Sequence, residues 1–212
     1  MNIVLFGTGG HAKVVADIVE QEGLHRILGL VSQDGIPGNF VSGYDVIASN
    51  ANFEKVIKKI RAKGAIVALG DTHHRINLVK KIAGKLEFVN AIHPSAIINK
   101  SVSIGSGTVV MAGVIINAST LIGSHCILNT SCSIDHDCKV GDYTHICPGC
   151  HIAGHVSYRE LHLVRGAAGC SVRAIVDITG RSADHGIGGL EKVKAGSRES
   201  LIAYISICAG QS

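Results

Sequence analysis

The chain of 212 residues has no tryptophan and only four phenylalanines. A core built around large aromatic rings is therefore excluded, and thin layers of aliphatic side chains must take its place. No apolar run approaches the roughly 20 residues that cross a bilayer, and the opening MNIVLF shows no basic region ahead of a long apolar segment. A soluble cytoplasmic protein without membrane insertion is the expectation. A disulfide framework is also missing. Of seven cysteines, Cys126, Cys132 and Cys138 stand six apart, and the CPGC of Cys147 and Cys150 has no second pair, so the thiols read as packing groups and no metal is expected. The formal charge of +4 is spread along the chain. Its densest cluster, Lys58, Lys59, Arg61 and Lys63, falls on the polar side of a predicted helix, which argues against a nucleic-acid partner.

What the sequence does have is a six-residue beat. Counting from Ile92, aliphatic residues stand at Ile98, Ile104, Val110, Ile116, Ile122, Leu128, Ile134, Val140, Ile146 and Ile152. Four residues after each beat comes a small or β-branched residue, as at Thr108, Val114, Thr120, Cys126, Cys132 and Cys138. Neither the 3.6-residue period of an α-helix nor the alternation of a strand produces this. A coil with three flat sides does: each beat residue points inward, and stacked coils share a continuous core. The residue after the beat is often Asn, Gly or Asp, as at Asn99, Gly105, Asn117, Gly123, Asn129, Asp135 and Gly141, and predicts the tight-turn dihedrals there.

Ahead of the coil, the pattern predicts a buried strand over 2–6, a glycine turn, a helix from about Ala12 to Glu22 and a strand over 27–31. SQDGIPGNF follows as a loop. A helix over 52–63 is ended by Gly64; AIVALG is a third strand, DTHHR its exit loop and INLVKKIA a helix. Alternating strands and helices predict a small α/β domain around a parallel sheet. Its binding edge should lie at the carboxyl ends of the strands, gathering Gly9, Gly10, His11, Asp34, Gly70 and Asp71. The glycine turn falls short of the full dinucleotide fingerprint.

In the coil, His136 sits two residues after a beat, near a corner and between Asp135 and Asp137, either of which could orient its ring for general-base work. His145 lies just before the beat at Ile146. His73, His74 and His93 carry less weight.

The combination of GTGGHAKVV, VALGDTHHR, IHPSA, NTSCSIDHDCKVGDYTHICPG and HIAG resembles the sialic acid O-acetyltransferase family of hexapeptide-repeat acyltransferases, which includes bacterial N-acetyltransferases of UDP-4-amino sugars. The resemblance implies a Rossmann-like acceptor domain over residues 1–85 and a left-handed parallel β-helix over 86–178, regular to about 156. It implies a homotrimer, acetyl-CoA as donor, and a nucleotide sugar or sugar as acceptor bound at Gly10 and His11. It also makes His136 the base, Asp137 its partner, His145 a contact to acetyl-CoA and Gly154 a backbone contact to it. Residues 179–212 form an irregular tail without the family's closing repeats. The function expected is acetyl transfer to the amino group of a nucleotide-linked sugar. O-acetylation of sialic acid or another sugar hydroxyl, a non-catalytic sugar-nucleotide scaffold, and a metal-dependent hydratase using His136, His145, His151 and His155 are the alternatives.

Overall fold

The computed structural model describes residues 1–33, 38–158 and 163–164. Asp34 and the tail over 179–212 lie outside these residues. The N-terminal elements are β1 (Asn2–Phe6), α1 (Gly10–Glu22), β2 (Arg26–Ser32), β3 (Phe40–Val41), β4 (Tyr44–Ser49), α2 (Phe53–Ile60), β5 (Gly64–Val67), α3 (Thr72–Ile82) and β6 (Glu87–Phe88). They form one sheet in the order β3-β4-β2-β1-β5-β6, parallel except for β3 against β4. Ile3 to Phe6 are inaccessible to solvent, as the central strand of a sheet covered on both faces requires. α1 covers one face; α2 and α3 bury Phe53, Ile57, Leu78, Val79 and Ile82 against the other.

Several local expectations are corrected. Helix α2 ends at Ile60, where Arg61 takes the left-handed conformation and donates its backbone N–H to Ile57 and Lys58; Gly64 opens β5 instead of capping the helix. The segment DTHHR is not an exit loop. Asp71 caps α3 by accepting a 2.8 Å hydrogen bond from the His74 backbone, so the helix begins at Thr72. Strand β4 went unanticipated, and β6 carries the sheet past residue 85.

From Ala91 to Tyr158, and again at 163–164, the chain is a left-handed parallel β-helix with eighteen residues per coil, built from two-residue strands and the corners between them. One side stacks 91–92, 109–110, 127–128, 145–146 and 163–164; a second stacks 97–98, 115–116, 133–134 and 151–152; a third stacks 103–104, 121–122, 139–140 and 157–158. Every pairing is parallel with a shift of eighteen residues, as between Ile127 and His145. The beat residues point inward, together with the thiols of Cys126, Cys132 and Cys138, which are fully buried.

The left-handed residue sits three places after the beat, not one. Gly107, Gly113, Ser119, His125, Ser131, Asp137, Tyr143, Gly149 and His155 all have φ between 57° and 72°. The place directly after the beat has other duties. A Cβ on Gly105 would lie 2.5 Å from the Ser124 backbone nitrogen in the next coil, so stacking excludes a side chain there. Asn99, Asn129 and Asp135 turn their side-chain oxygens onto nearby backbone N–H groups. The small residues four after the beat are also more than filler. Thr108 and Thr120 donate to the carbonyls of Gly123 and Asp135 at 2.9 and 2.8 Å, and accept from the backbone of Cys126 and Cys138 one coil on. Buried corner groups that the ladders leave unpaired are satisfied in this way.

Helix α1 lies along the first side of the coil. Its apolar face shares a core with Ala91, Val109, Met111 and Ile127. Glu22, at its end, takes a backbone hydrogen bond from Ile92, and His11, at its start, feels His145 three coils later. The lengths agree: three coils at about 4.8 Å each span roughly 14 Å, and the helix from His11 to Glu22 spans roughly 16 Å at 1.5 Å per residue. Arg75, 1% exposed, pins the other contact. Its guanidinium donates to the carbonyls of Leu69 and Gly70 and the hydroxyl of Thr72 in its own domain, and to the carbonyls of His125 and Tyr143 on successive coils.

Replacing Arg75 by Met should destabilise the protein by about 3–5 kcal/mol, because one buried and three part-buried carbonyls lose a charged donor at once. Urea unfolding of the two proteins measures this; a loss below about 1 kcal/mol would show that water replaces the guanidinium.

Candidate active site

The corner between the second and third sides gathers His136, Asp135 and Asp137. Its backbone is fixed first. Asp135 Oδ1 accepts from the His136 backbone N–H at 2.8 Å and from Asn117 Nδ2, one coil below, at 2.9 Å. Both bonds hold the Asp135 carboxyl below the usual carboxylate range, Asn117 contributing most. Asp137 follows in the left-handed conformation at φ 59°, which a short polar side chain tolerates. Its Oδ2 lies 2.7 Å from Nδ1 of His136. Of the two flanking acids, then, Asp137 orients the ring and Asp135 the backbone beneath it.

A proton on Nδ1 satisfies Asp137 and leaves the Nε2 lone pair facing outward. That hydrogen bond, more than the nearby charges of Asp135 and Asp137, raises the pKa of His136 above the ordinary histidine value. Half of the side chain is exposed, so the ring is open to a ligand. Directly above it stands Gly154, eighteen residues on. A Cβ there would come within 2.8 Å of His136 Nε2, so only glycine leaves bare backbone beside the ring. His155, which the sequence suggests only among the histidines of a hydratase, joins this corner. Its ring meets that of His136 edge to face at 5.0 Å, and its Nε2 lies 3.8 Å from the same Asp137 oxygen.

The remaining residues gather elsewhere. His145 continues the outward column of Ala91, Val109 and Ile127 on the first side, the side opposite the His136 corner, and its Nε2 lies 3.1 Å from Asn129 Nδ2. Its charge disfavours a charged His11, whose pKa is lowered to about 4, first by burial and then by His145 and Arg75. His11 is thus neutral at ordinary pH, and its stabilising contribution fades as pH falls from the ordinary histidine range toward 4. Gly9 caps α1 in an extended conformation and Gly10 opens the helix. A Cβ on Gly9, Gly10 or Gly70 would meet nothing within 4 Å. Asp71 spends one carboxylate oxygen on the cap of α3. Within one chain, His11 and His145 share one place while His136, Asp137, Gly154 and His155 share another.

An α/β domain laid along one side of a left-handed hexapeptide coil, with an exposed His–Asp pair at the opposite corner, defines the hexapeptide-repeat acyltransferase class. Comparison with known proteins narrows it. Residues 2–82 match the PglD N-terminal domain, and residues 119–154 match the bacterial transferase hexapeptide (six repeats). The structure of PerB from Caulobacter crescentus, solved with CoA and GDP-perosamine, is 37% identical; the match covers 74% of this chain and 73% of that one, with a TM-score of 0.68. The acetyltransferase domain of PglB from Neisseria gonorrhoeae, solved with acetyl coenzyme A, is 29% identical over 74% of this chain and 78% of its own, at a TM-score of 0.66. UDP-N-acetylbacillosamine N-acetyltransferase of Bacillus subtilis is 34% identical over 110 residues, 51% of this chain. The match spans half the length of that relative. The chain belongs to the hexapeptide-repeat acyltransferase family related to the nucleotide-sugar N-acetyltransferases.

Histidine NMR checks the electrostatics of the corner. His136 should titrate above the ordinary value of about 6.5, and Asp137→Asn should bring it down, since the amide no longer favours the charged ring. An unchanged midpoint in the variant would assign the rise to Asp135.

Proposed function

We propose that this protein transfers the acetyl group of acetyl-CoA to the amino group of a nucleotide-linked amino sugar, with His136 as general base. The observation that carries the reading is the ring of His136, held by Asp137 through Nδ1, with its Nε2 beside bare backbone at Gly154. A relative crystallised with both CoA and GDP-perosamine supports the pairing of substrates. In the reaction the amine attacks the thioester carbonyl while Nε2 accepts its proton. Asp137 supports the imidazolium as it forms, and the thiolate of CoA leaves once the tetrahedral intermediate collapses.

Acetyl-CoA would lie along the corner, its acetyl group near Gly154, whose missing side chain is the room the donor needs. The acceptor would sit at the head of α1. Nothing inside the chain demands glycine at Gly9, Gly10 or Gly70, where φ is not positive and neighbouring space is empty, whereas a ligand approaching the backbone does. His11 would face it, and the backbone N–H groups at the start of the helix suit a phosphate.

Base and acceptor site stand on opposite sides of one coil, so a complete site needs a second protomer. The corner is flanked by exposed apolar residues: Ile97 and Ile115 on one side, 66% and 38% exposed, and Leu121 on the other at 47%. Covering them in a three-fold ring would bring the His136 corner of one protomer to the acceptor domain and His145 of the next. The described residues contain no helix long and apolar enough to cross a membrane. Their five cysteines are free thiols, which suits a reducing cytoplasm.

A panel of UDP- and GDP-linked amino sugars, with free sialic acids beside them, tests the reading. Acetyl transfer should be found with a nucleotide-linked amine, and His136→Ala should cut turnover by roughly 10²–10⁴-fold while acetyl-CoA still binds. Transfer only to a hydroxyl of a free sugar would replace the acceptor; turnover unchanged in the variant would remove the base. Light scattering at micromolar protein should give three times the chain mass of 22.1 kDa. A mass near that of one chain would overturn the shared site.

A further inference from the structure

The corner of the proposed base also holds the elements of a metal site. His136, Asp137 and His155 each offer one ligand atom, and these atoms all lie within 4.8 Å of one another. Asp137 Oδ2 stands between the two rings, 2.7 Å from His136 Nδ1 and 3.8 Å from His155 Nε2. Ligands bound tetrahedrally at about 2.0–2.1 Å are separated from each other by roughly 3.4 Å, between these two values. The side chains are 45% to 75% exposed, so they can close on an ion by rotation alone. The backbone beneath them is fixed: His155 donates its N–H to the His136 carbonyl at 3.0 Å, and Asp137 and His155 occupy equivalent left-handed positions on successive coils.

We propose that His136, Asp137 and His155 bind a single Zn²⁺ ion, and that the ion switches the base off. Two imidazoles and one carboxylate are a donor set for a borderline divalent transition ion, and a poor one for Mg²⁺ or Ca²⁺, which take oxygen ligands. An open fourth position is left for water. The ion would take the Nδ1 lone pair of His136, so the single N–H proton of the neutral ring would move, by exchange with solvent, from Nδ1 to Nε2, the atom that has to accept a proton from the acceptor amine. Zinc and general-base action at His136 are thus mutually exclusive. This site lies within one chain, in contrast to a hydratase centre assembled across a subunit boundary. Its inhibitory effect rests on the proposed role of His136; its existence rests on geometry alone.

The test uses the full, untagged chain stripped of metal. Titration with ZnCl₂ should show one ion bound per chain, and CoCl₂ should give the visible ligand-field absorption of tetrahedral Co²⁺. His155→Ala should weaken binding by at least the roughly 10–100-fold that accompanies loss of even an outer-shell partner, and Asp137→Asn should weaken it too. In acetyl transfer, with each protein scaled to its own metal-free rate, zinc should inhibit wild type and release on chelation, with the inhibition constant rising in His155→Ala in step with the loss of affinity. Wild-type zinc affinity in His155→Ala would overturn the site. Zinc held at the site, as judged by its loss in that variant, but without effect on turnover would overturn the switch and with it the assignment of the base, while leaving the metal site standing.

Discussion

The guanidinium of Arg75 is the interaction on which the arrangement of the two domains depends. It is buried among carbonyl oxygens, and all five of its N–H groups have a partner. Burial lowers its pKa to about 10, still far above neutrality, so the charge persists. Two partners, Leu69 and Gly70, belong to the turn between β5 and α3, a third, Thr72, opens α3, and two, His125 and Tyr143, belong to successive corners of the coil. A longer or shorter coil period would leave one of these carbonyls out of reach. The same contact closes a small aromatic stack: His125 lies between Tyr143, parallel at 5.1 Å, and Phe88 of β6, edge-on at 4.6 Å. Gly107 completes the column, since a Cβ there would fall within 2.3 Å of the His125 ring. Burial lowers the pKa of His125, helped by the charge of Arg75 and opposed by that of Asp142.

With this junction fixed, α1 is committed to one side of the coil, and the head of the helix is carried to His145. The two ends of α1 meet coils three apart because helix rise and coil spacing match over that length. The head of α1 is therefore set by the packing of an apolar helix face, and the His136 corner by its own hydrogen bonds. The proposed chemistry calls on a neighbouring protomer because the head of α1 and the His136 corner stand on opposite sides of the coil.

The corner itself shows how a repeat can carry a special site without breaking its rhythm. Thr120 and Cys138 occupy the usual corner positions and bond to the carbonyls of Asp135 and Ala153. Asn117 and Asp135 occupy the usual places after the beat. Only the outward residues differ from neighbouring corners: His136, Asp137, Gly154 and His155. The framework supplies backbone precision, and the exposed positions are left open to chemistry.

The six-residue beat made the coil legible because side-chain direction in a flat-sided coil follows local spacing alone. The inward thiols, the polar helix face bearing Lys58 and Lys59, and the contact of a histidine with a flanking acid were legible for the same reason. Three sides of six residues also place Gly154 above His136 and His155 above Asp137; counting eighteen ahead puts His155 at this corner, where the sequence suggests it only as one of a hydratase's histidines. The position of the left-handed residue was misjudged, because Asn, Asp and Gly serve turn hydrogen bonds and close stacking as readily as positive φ. Other features could not be read at all. Arg75 looks like one more surface cation in DTHHR, and His11 gives no sign that it will meet His145, 134 positions away. The sequence by itself determined the coil, its period and the character of each corner, since these are local. Only the tertiary structure decided which side the α/β domain covers and which histidines stand together, because those depend on how two separately built surfaces fit.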